Sequence, residues 1–184
     1  MDERLNIHHC RYGVTPFPPY RYVPGEHPHP IAHPQGHSHR PRGMPHPAVV
    51  YVPPERWRDS EDYLYGCDLY NHAYWWEAHE AWEALWQTCD KKATQGRFLQ
   101  GLIQATACHL KIHLKSAAGV ERLGPSSLDY LRGATAEMES TNYMGLNTRE
   151  FIISLDSYFK RCLDATARVR GHDVSLYPYI ELDG

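Results

Sequence analysis

The chain has 184 residues, 42% of them hydrophobic, with a formal net charge of −3 and a sequence pI near 6.5. This length suits one domain with a real hydrophobic core, and the near-balanced charge gives no global pull toward nucleic acid or acidic membranes. No stretch approaches the ~18 apolar residues of a membrane span, and the opening Met1-Asp2-Glu3-Arg4-Leu5 is not a secretion signal, so a cytoplasmic protein is expected.

Residues 1–54 differ in composition from the rest. They hold 12 of the 14 prolines and 8 of the 13 histidines, with no apolar periodicity. Proline fixes φ and removes a donor, so this segment cannot form a long helix or a central strand. It reads as an extended Pro/His-rich N-terminal arm, partly polyproline II, ahead of a helical domain at 55–184. Three uses suit its core, His27–His39. Its imidazoles can capture a transition metal, it can stay a solvated tail, or it can order against a protein partner or a second copy of the chain. The third use would draw on Tyr12, Phe17, Tyr20, Tyr22 and Val49-Val50-Tyr51-Val52 as anchors. Its arginines are too sparse to favour RNA.

From Ser60 onward the pattern is helical. Ser60 is placed to cap a helix to about Tyr70, with Glu61 and Asp62 in the first turn. Asn71 is the expected cap of a central helix over about 73–88. At 100° per residue, Trp75, Trp82 and Trp86 align on that helix, and Ala78, Ala81 and Leu85 widen the stripe into a buried arc. His79 and Glu83 sit four apart at its margin and can meet; Glu77 and Glu80 point further away. A helix over about 94–116 carries Phe98, Leu102, Ala105, His109 and Ile112 on one face, with His113 at its edge and Gln100 and Gln104 opposite. Pro125-Ser126 is expected to open a shorter helix to about Met138. Asn147 followed by Glu150 resembles a capping box for a last helix reaching about Arg170, with Phe151, Leu155, Tyr158, Phe159 and Cys162 inward. The tail, Leu176–Leu182, reads as extended and docked. No β alternation of any length is present, so the predicted fold is all-α: a compact bundle of about five helices. The five cysteines are odd in number, scattered, and lack a CxxC pair, which points to reduced thiols, mostly small core residues.

Two spaced motifs carry a resemblance: Asn71-x-x-Tyr74-Trp75-x-Glu77-Ala78-His79-Glu80-x-Trp82-Glu83-x-Leu85-Trp86, then Phe98-x-Gln100-Gly101-Leu102-Ile103-Gln104-x-x-x-x-His109. Together with Pro178-Tyr179-Ile180-Glu181-Leu182, they make residues 60–182 similar to the family called domain of unknown function 309. The resemblance implies a compact all-α fold and, for some members, the label of a predicted metal-dependent hydrolase; it implies no substrate. His72 departs from the pattern in standing just before Ala73, a position expected to be small. The arm lies outside the family domain.

Two readings of function come from different classes. One is a helical binding module with a divalent-metal site between its central helices and an arm that docks on a partner. The other is a metal-dependent hydrolase. In both, His79, Glu83 and His109 are the candidate ligands of zinc, iron or manganese, because facing helices in a bundle build sites from imidazoles and carboxylates. The hydrolase adds Glu80 as base on a metal-bound water. His72, Glu77, Gln100, Gln104 and His113 complete the polar residues nearby. The spacing itself matches neither zincin nor di-iron motifs: His79-Glu80 is followed by Glu83 where a zincin has histidine, and Glu77-Ala78-His79 is one short of Glu-x-x-His. The plain alternative is a buried polar network, His79–Glu83 reaching His109 or Gln104, that fixes helix packing. Nucleophile elbows and Gly-rich phosphate loops are absent.

Overall fold

The computed structural model describes residues 9–41, 43–44, 48–136, 138–163 and 168–183. The fold is all-α. A 3₁₀ turn, Pro54–Asp59, leads into α1 (Glu61–Asn71), α2 (Trp75–Gln87), α3 (Thr94–His113), α4 (Ala117–Thr135) and α5 (Thr148–Cys162), with a two-residue ribbon, β1 (Asn142–Tyr143) and β2 (Leu146–Asn147), before α5. Each helix packs on the one that follows it, α3 and α4 most extensively. No helix among the described residues is long and apolar enough to cross a membrane.

Local signals set several boundaries. The Ser60 hydroxyl accepts the Tyr63 amide at 3.4 Å to cap α1, and the Asn147 side chain accepts the Glu150 amide at 3.3 Å to cap α5. Both caps stand where the sequence puts them. At the end of α1, the amides of Ala73 and Tyr74 close on the carbonyls of Tyr70 and Leu69, with Ala73 at φ +61. This is a Schellman turn with a buried alanine in the left-handed position. The turn also corrects the expected start of α2. Asn71 belongs to α1, and its side chain is already used: it accepts from the Ile180 amide and donates to the Ile180 carbonyl, both at 2.8 Å.

Three other expectations change. Helix α4 starts at Ala117 and carries Pro125 in its interior, where a start signal was read. Its packing on α3 holds it through the missing donor: the Ser127 hydroxyl donates to the Gly101 carbonyl at 2.9 Å, and a Cβ on Gly101 would stand 2.6 Å from Leu131. Helix α5 stops at Cys162, because Leu163 turns extended and pairs with Val169 in an antiparallel bridge. The ribbon is the third difference: Met144 and Gly145, at φ 48 and 79, make a tight turn of the primed type.

The core is aromatic. Trp75, Ala78, Trp82 and Leu85 are buried along α2, while Ala81 and Trp86 pack partly buried against the same cluster. Cys67, Cys89, Cys108 and Cys162 are buried free thiols, and Cys10 is exposed. The tail docks as expected, with Tyr177 and Ile180 buried and Leu182 bridged to Leu146.

The described part of the arm, residues 9–41, lies on the chain's own helices. The buried Asp68 carboxylate of α1 accepts the amides of Tyr12 at 2.7 Å and Gly13 at 3.0 Å, and the Arg11 guanidinium at 3.3 Å. Phe17 stacks on Tyr74 and Val23 is buried. The Tyr12 hydroxyl ties arm to tail, donating to the Ile180 carbonyl and accepting from the Leu182 amide, each at 2.9 Å. Several arm histidines act as turn formers. His29 Nδ1 accepts the amides of Ile31 and Ala32, and His33 Nδ1 accepts that of Gln35.

Candidate functional site

Three clusters of ionisable residues gather around α2. The first is on its outer side, where spacings of one, three and four residues bring His79, Glu80 and Glu83 together. One ligand atom from each lies within 4.8 Å of the others. His79 Nε2 stands 3.1 Å from Glu83 Oε2, with the side chains 30% and 44% exposed. Two donors each ~2.1 Å from a common ion lie about 3.0–3.4 Å apart in octahedral or tetrahedral geometry, so this spacing suits neighbouring ligands as well as an i,i+4 ion pair. Burial raises the Glu80 carboxyl above its ordinary range; His79 opposes that rise, and the like charge of Glu83 reinforces it. Glu80, expected as a base apart from the His79–Glu83 pair, lies within reach of both.

The second cluster joins α2 to the arm. Glu77 Oε1 accepts the Tyr22 amide at 2.8 Å and meets His37 Nε2 at 3.0 Å. Both side chains are only 4% exposed, so Glu77, which points away from the tryptophan stripe, meets the arm there. The cover comes from the arm, which the periodicity of α2 cannot reveal. Burial pushes the Glu77 carboxyl up, and hydrogen bonds from Tyr22, its own backbone and His37 hold the rise down. Its Oε2 is buried without a hydrogen-bond partner.

The third cluster contains His109, which the structure does not bring into the His79–Glu83 group. His109 is 0% exposed and lies within a ring-packed shell of Trp75, Tyr70, Phe159, Tyr158, Tyr177 and His172. Tyr70 Oη lies 2.9 Å from His109 Nε2 and donates to the Pro178 carbonyl at 3.0 Å. A hydroxyl has one proton, so Nε2 carries the imidazole hydrogen and Nδ1 is a bare lone pair, buried with no partner. Burial, with His172 beside it, holds His109 neutral well below the usual imidazole range. A neutral, enclosed imidazole is a core group. Its partner His172 donates from Nε2 to the His109 carbonyl at 2.9 Å, and its Nδ1 accepts the Tyr158 hydroxyl at 2.8 Å. Burial pushes His172 down to about 4. Sequence reasoning missed His172, which follows α5 outside any periodic pattern.

The remaining polar candidates are dispersed. His72 Nδ1 bonds the Asp68 carbonyl at 2.8 Å and its ring packs on Phe17. His113 Nε2 faces Glu26 of the arm at 3.7 Å. Gln104 has a buried carbonyl oxygen without a partner, and Gln100 is half-buried on α3.

No curated protein and no solved structure matches this chain. A family match covers a shorter span than the expected 60–182. His79, Glu80, Glu83 and His109 lie inside it, whereas the arm with His37 and the tail with His172 lie outside. Residues 63–123, from α1 into α4, match the family model described as Domain of unknown function (DUF309).

Proposed function

We propose that this chain is a helical cation-binding module whose site is the His79–Glu80–Glu83 group on the outer side of α2. The observation that carries the reading is the convergence of one imidazole and two carboxylates within 4.8 Å. A mixed nitrogen and oxygen donor set with two negative charges suits zinc, iron or manganese in the divalent state. All three ligands come from less than two turns of one helix, so the site needs no rearrangement of the bundle. Half-exposed ligands also leave coordination positions for water or a further group. Calorimetric titration of the full chain with Mn²⁺ and Zn²⁺ tests the proposal. One equivalent bound, and at least tenfold weaker binding by His79→Ala and Glu83→Ala, is expected. Binding that neither substitution weakens overturns it, leaving His79–Glu83 as an i,i+4 ion pair worth about 0.3–0.5 kcal/mol.

A further inference from the structure

The arm docks on α1 and α2 through contacts of a kind that read an extended chain. The Tyr65 hydroxyl donates to the Pro16 carbonyl at 3.1 Å, and the Tyr74 hydroxyl to the Pro18 carbonyl at 3.3 Å. Phe17, between these prolines, stacks on Tyr74 with centroids 5.0 Å apart and tilts against His72 at 4.8 Å. The Arg11 guanidinium lies 4.2 Å over the Phe17 ring and donates to Asp68 at 3.3 Å. Residues 13–18 form no helix, strand or turn. Tyrosine hydroxyls on the carbonyls of a proline-rich segment, beside an aromatic wall, are the chemistry by which aromatic grooves recognise such segments.

Three features separate the ligand from the groove. The Asp68 carboxylate is 0% exposed, and its donors among the described residues, Arg11 and the amides of Tyr12 and Gly13, all come from the arm. A buried carboxylate without donors is costly, so this face requires an occupant that supplies them. The occupant, however, is held lightly: no residue from 9 to 22 is buried, and Val14 is 96% exposed. Such segments detach locally at low cost. Finally, Tyr65, Asp68, His72 and Tyr74 lie within the matched segment 63–123, and the arm lies outside it. The bonds run largely to backbone amides and carbonyls, which any segment of the same shape offers.

We propose that this face of α1 and α2 is a recognition groove for a proline-rich segment of a partner protein, with the chain's own arm as its resident competitor. The segment brings two adjacent amides and an arginine to Asp68, and an aromatic residue between two prolines to Tyr65, His72 and Tyr74. Proline serves there because its fixed φ lowers the entropy lost on docking. None of these residues belongs to the His79–Glu80–Glu83 group, so groove and cation site are tested independently.

The probe is a fluorescein-labelled peptide of residues 11–22, followed by anisotropy against the full chain. In the wild type the tethered arm competes at an effective concentration of order millimolar, so the peptide binds weakly. Arg11→Ala/Phe17→Ala in the chain weakens the arm and leaves the groove intact; it is expected to raise peptide affinity about tenfold. Adding Tyr65→Phe and Tyr74→Phe to that chain is expected to weaken binding about tenfold, through two lost hydrogen bonds. No saturable binding to the arm-substituted chain, affinity equal to that of wild type, or binding that the tyrosine substitutions leave unchanged overturns the groove. A wild type that is dimeric by light scattering, and monomeric with Arg11→Ala/Phe17→Ala, assigns the groove to the arm of a second copy and overturns a separate partner. Amide exchange on the unsubstituted chain decides the matter if the arm-substituted chain folds poorly. Peptide at about 10 mM, above the arm's effective concentration, should speed exchange at Tyr12 and Gly13, and unchanged exchange overturns the proposal.

Discussion

Acid should weaken this protein in part through His172, whose buried imidazole is pushed down to about 4. The imidazole is held between the His109 carbonyl and the Tyr158 hydroxyl at 2.9 and 2.8 Å and stacks on Trp75 with ring centroids 4.3 Å apart. Burial is the main force pushing it from 6.5 to about 4; the His109 carbonyl opposes the push, and His113 adds to it. A depressed imidazole stays neutral in the folded state while the unfolded chain takes up a proton at 6.5. Its contribution is therefore complete above pH 6.5 and is lost as pH falls toward 4. The gap of 2.5 pH units, at about 1.36 kcal/mol each, sets a limit of about 3.4 kcal/mol. At pH 5 the same two values give about 2 kcal/mol.

The comparison is wild type against His172→Gln, which keeps a polar side chain but cannot titrate. Urea unfolding followed by tryptophan fluorescence at pH 8, 6 and 5 gives the stability of each. His109 titrates in both proteins, so its share largely cancels. The wild-type advantage over His172→Gln is expected to shrink by about 2 kcal/mol between pH 8 and pH 5. A difference that stays constant within about 0.5 kcal/mol over that range would refute the assignment of His172 as a group kept neutral by burial.

Three further substitutions probe the α1–α2 contact and how the tail and arm are held. A Cβ on Gly66 would stand 2.2 Å from Trp82 Nε1, so Gly66→Ala is expected to cost about 1–3 kcal/mol by overpacking, seen as a lower urea midpoint. Tyr70→Phe removes the hydroxyl between His109 Nε2 and the Pro178 carbonyl; about 1–3 kcal/mol should be lost, because both buried groups are left unpaired. Asp68→Ala deletes the acceptor of the Tyr12 and Gly13 amides. Amide exchange over residues 9–18 should then rise well above that of α3, and equal protection in the variant would count against Asp68 as the anchor.

What could be read from the sequence follows the range of the interactions. Ser60 and Asn147 cap their helices through bonds to residues three positions on, a rule contained in four residues of sequence. The burial of Trp75, Trp82 and His109 follows from helical angle alone, as does the meeting of His79 and Glu83. Misreadings occur where a distant segment decides. Asn71 has the chemistry of a helix cap, but the tail claims its amide from 109 residues away. Glu77 points away from the tryptophan stripe, and only the fold shows that the arm, 55 residues upstream, is what it meets. His172 lies beyond the last helix, and only the folded bundle brings it against a carbonyl of α3.

The same distinction separates the two histidine populations that the sequence placed in one site. An imidazole serves as a metal ligand when a lone pair faces space that an ion and its waters can enter. His109 has a free lone pair, but it points into a closed aromatic shell; an ion there would first have to separate α3 from Trp75 and the tail. His79 is on the outer turn with two carboxylates in reach and no backbone to disturb. Each helix was therefore read with a plausible ligand, and helical periodicity cannot say whether two buried-side residues share a cavity or a wall. Here His109 belongs to the wall: Trp75 stacks on it at an interplanar angle of 12° and spends its indole N–H on the Tyr177 hydroxyl at 2.9 Å. The tryptophans of α2 close the core along one stripe of the helix, and His79 and Glu83, at the margin of that stripe, keep their side chains part-exposed.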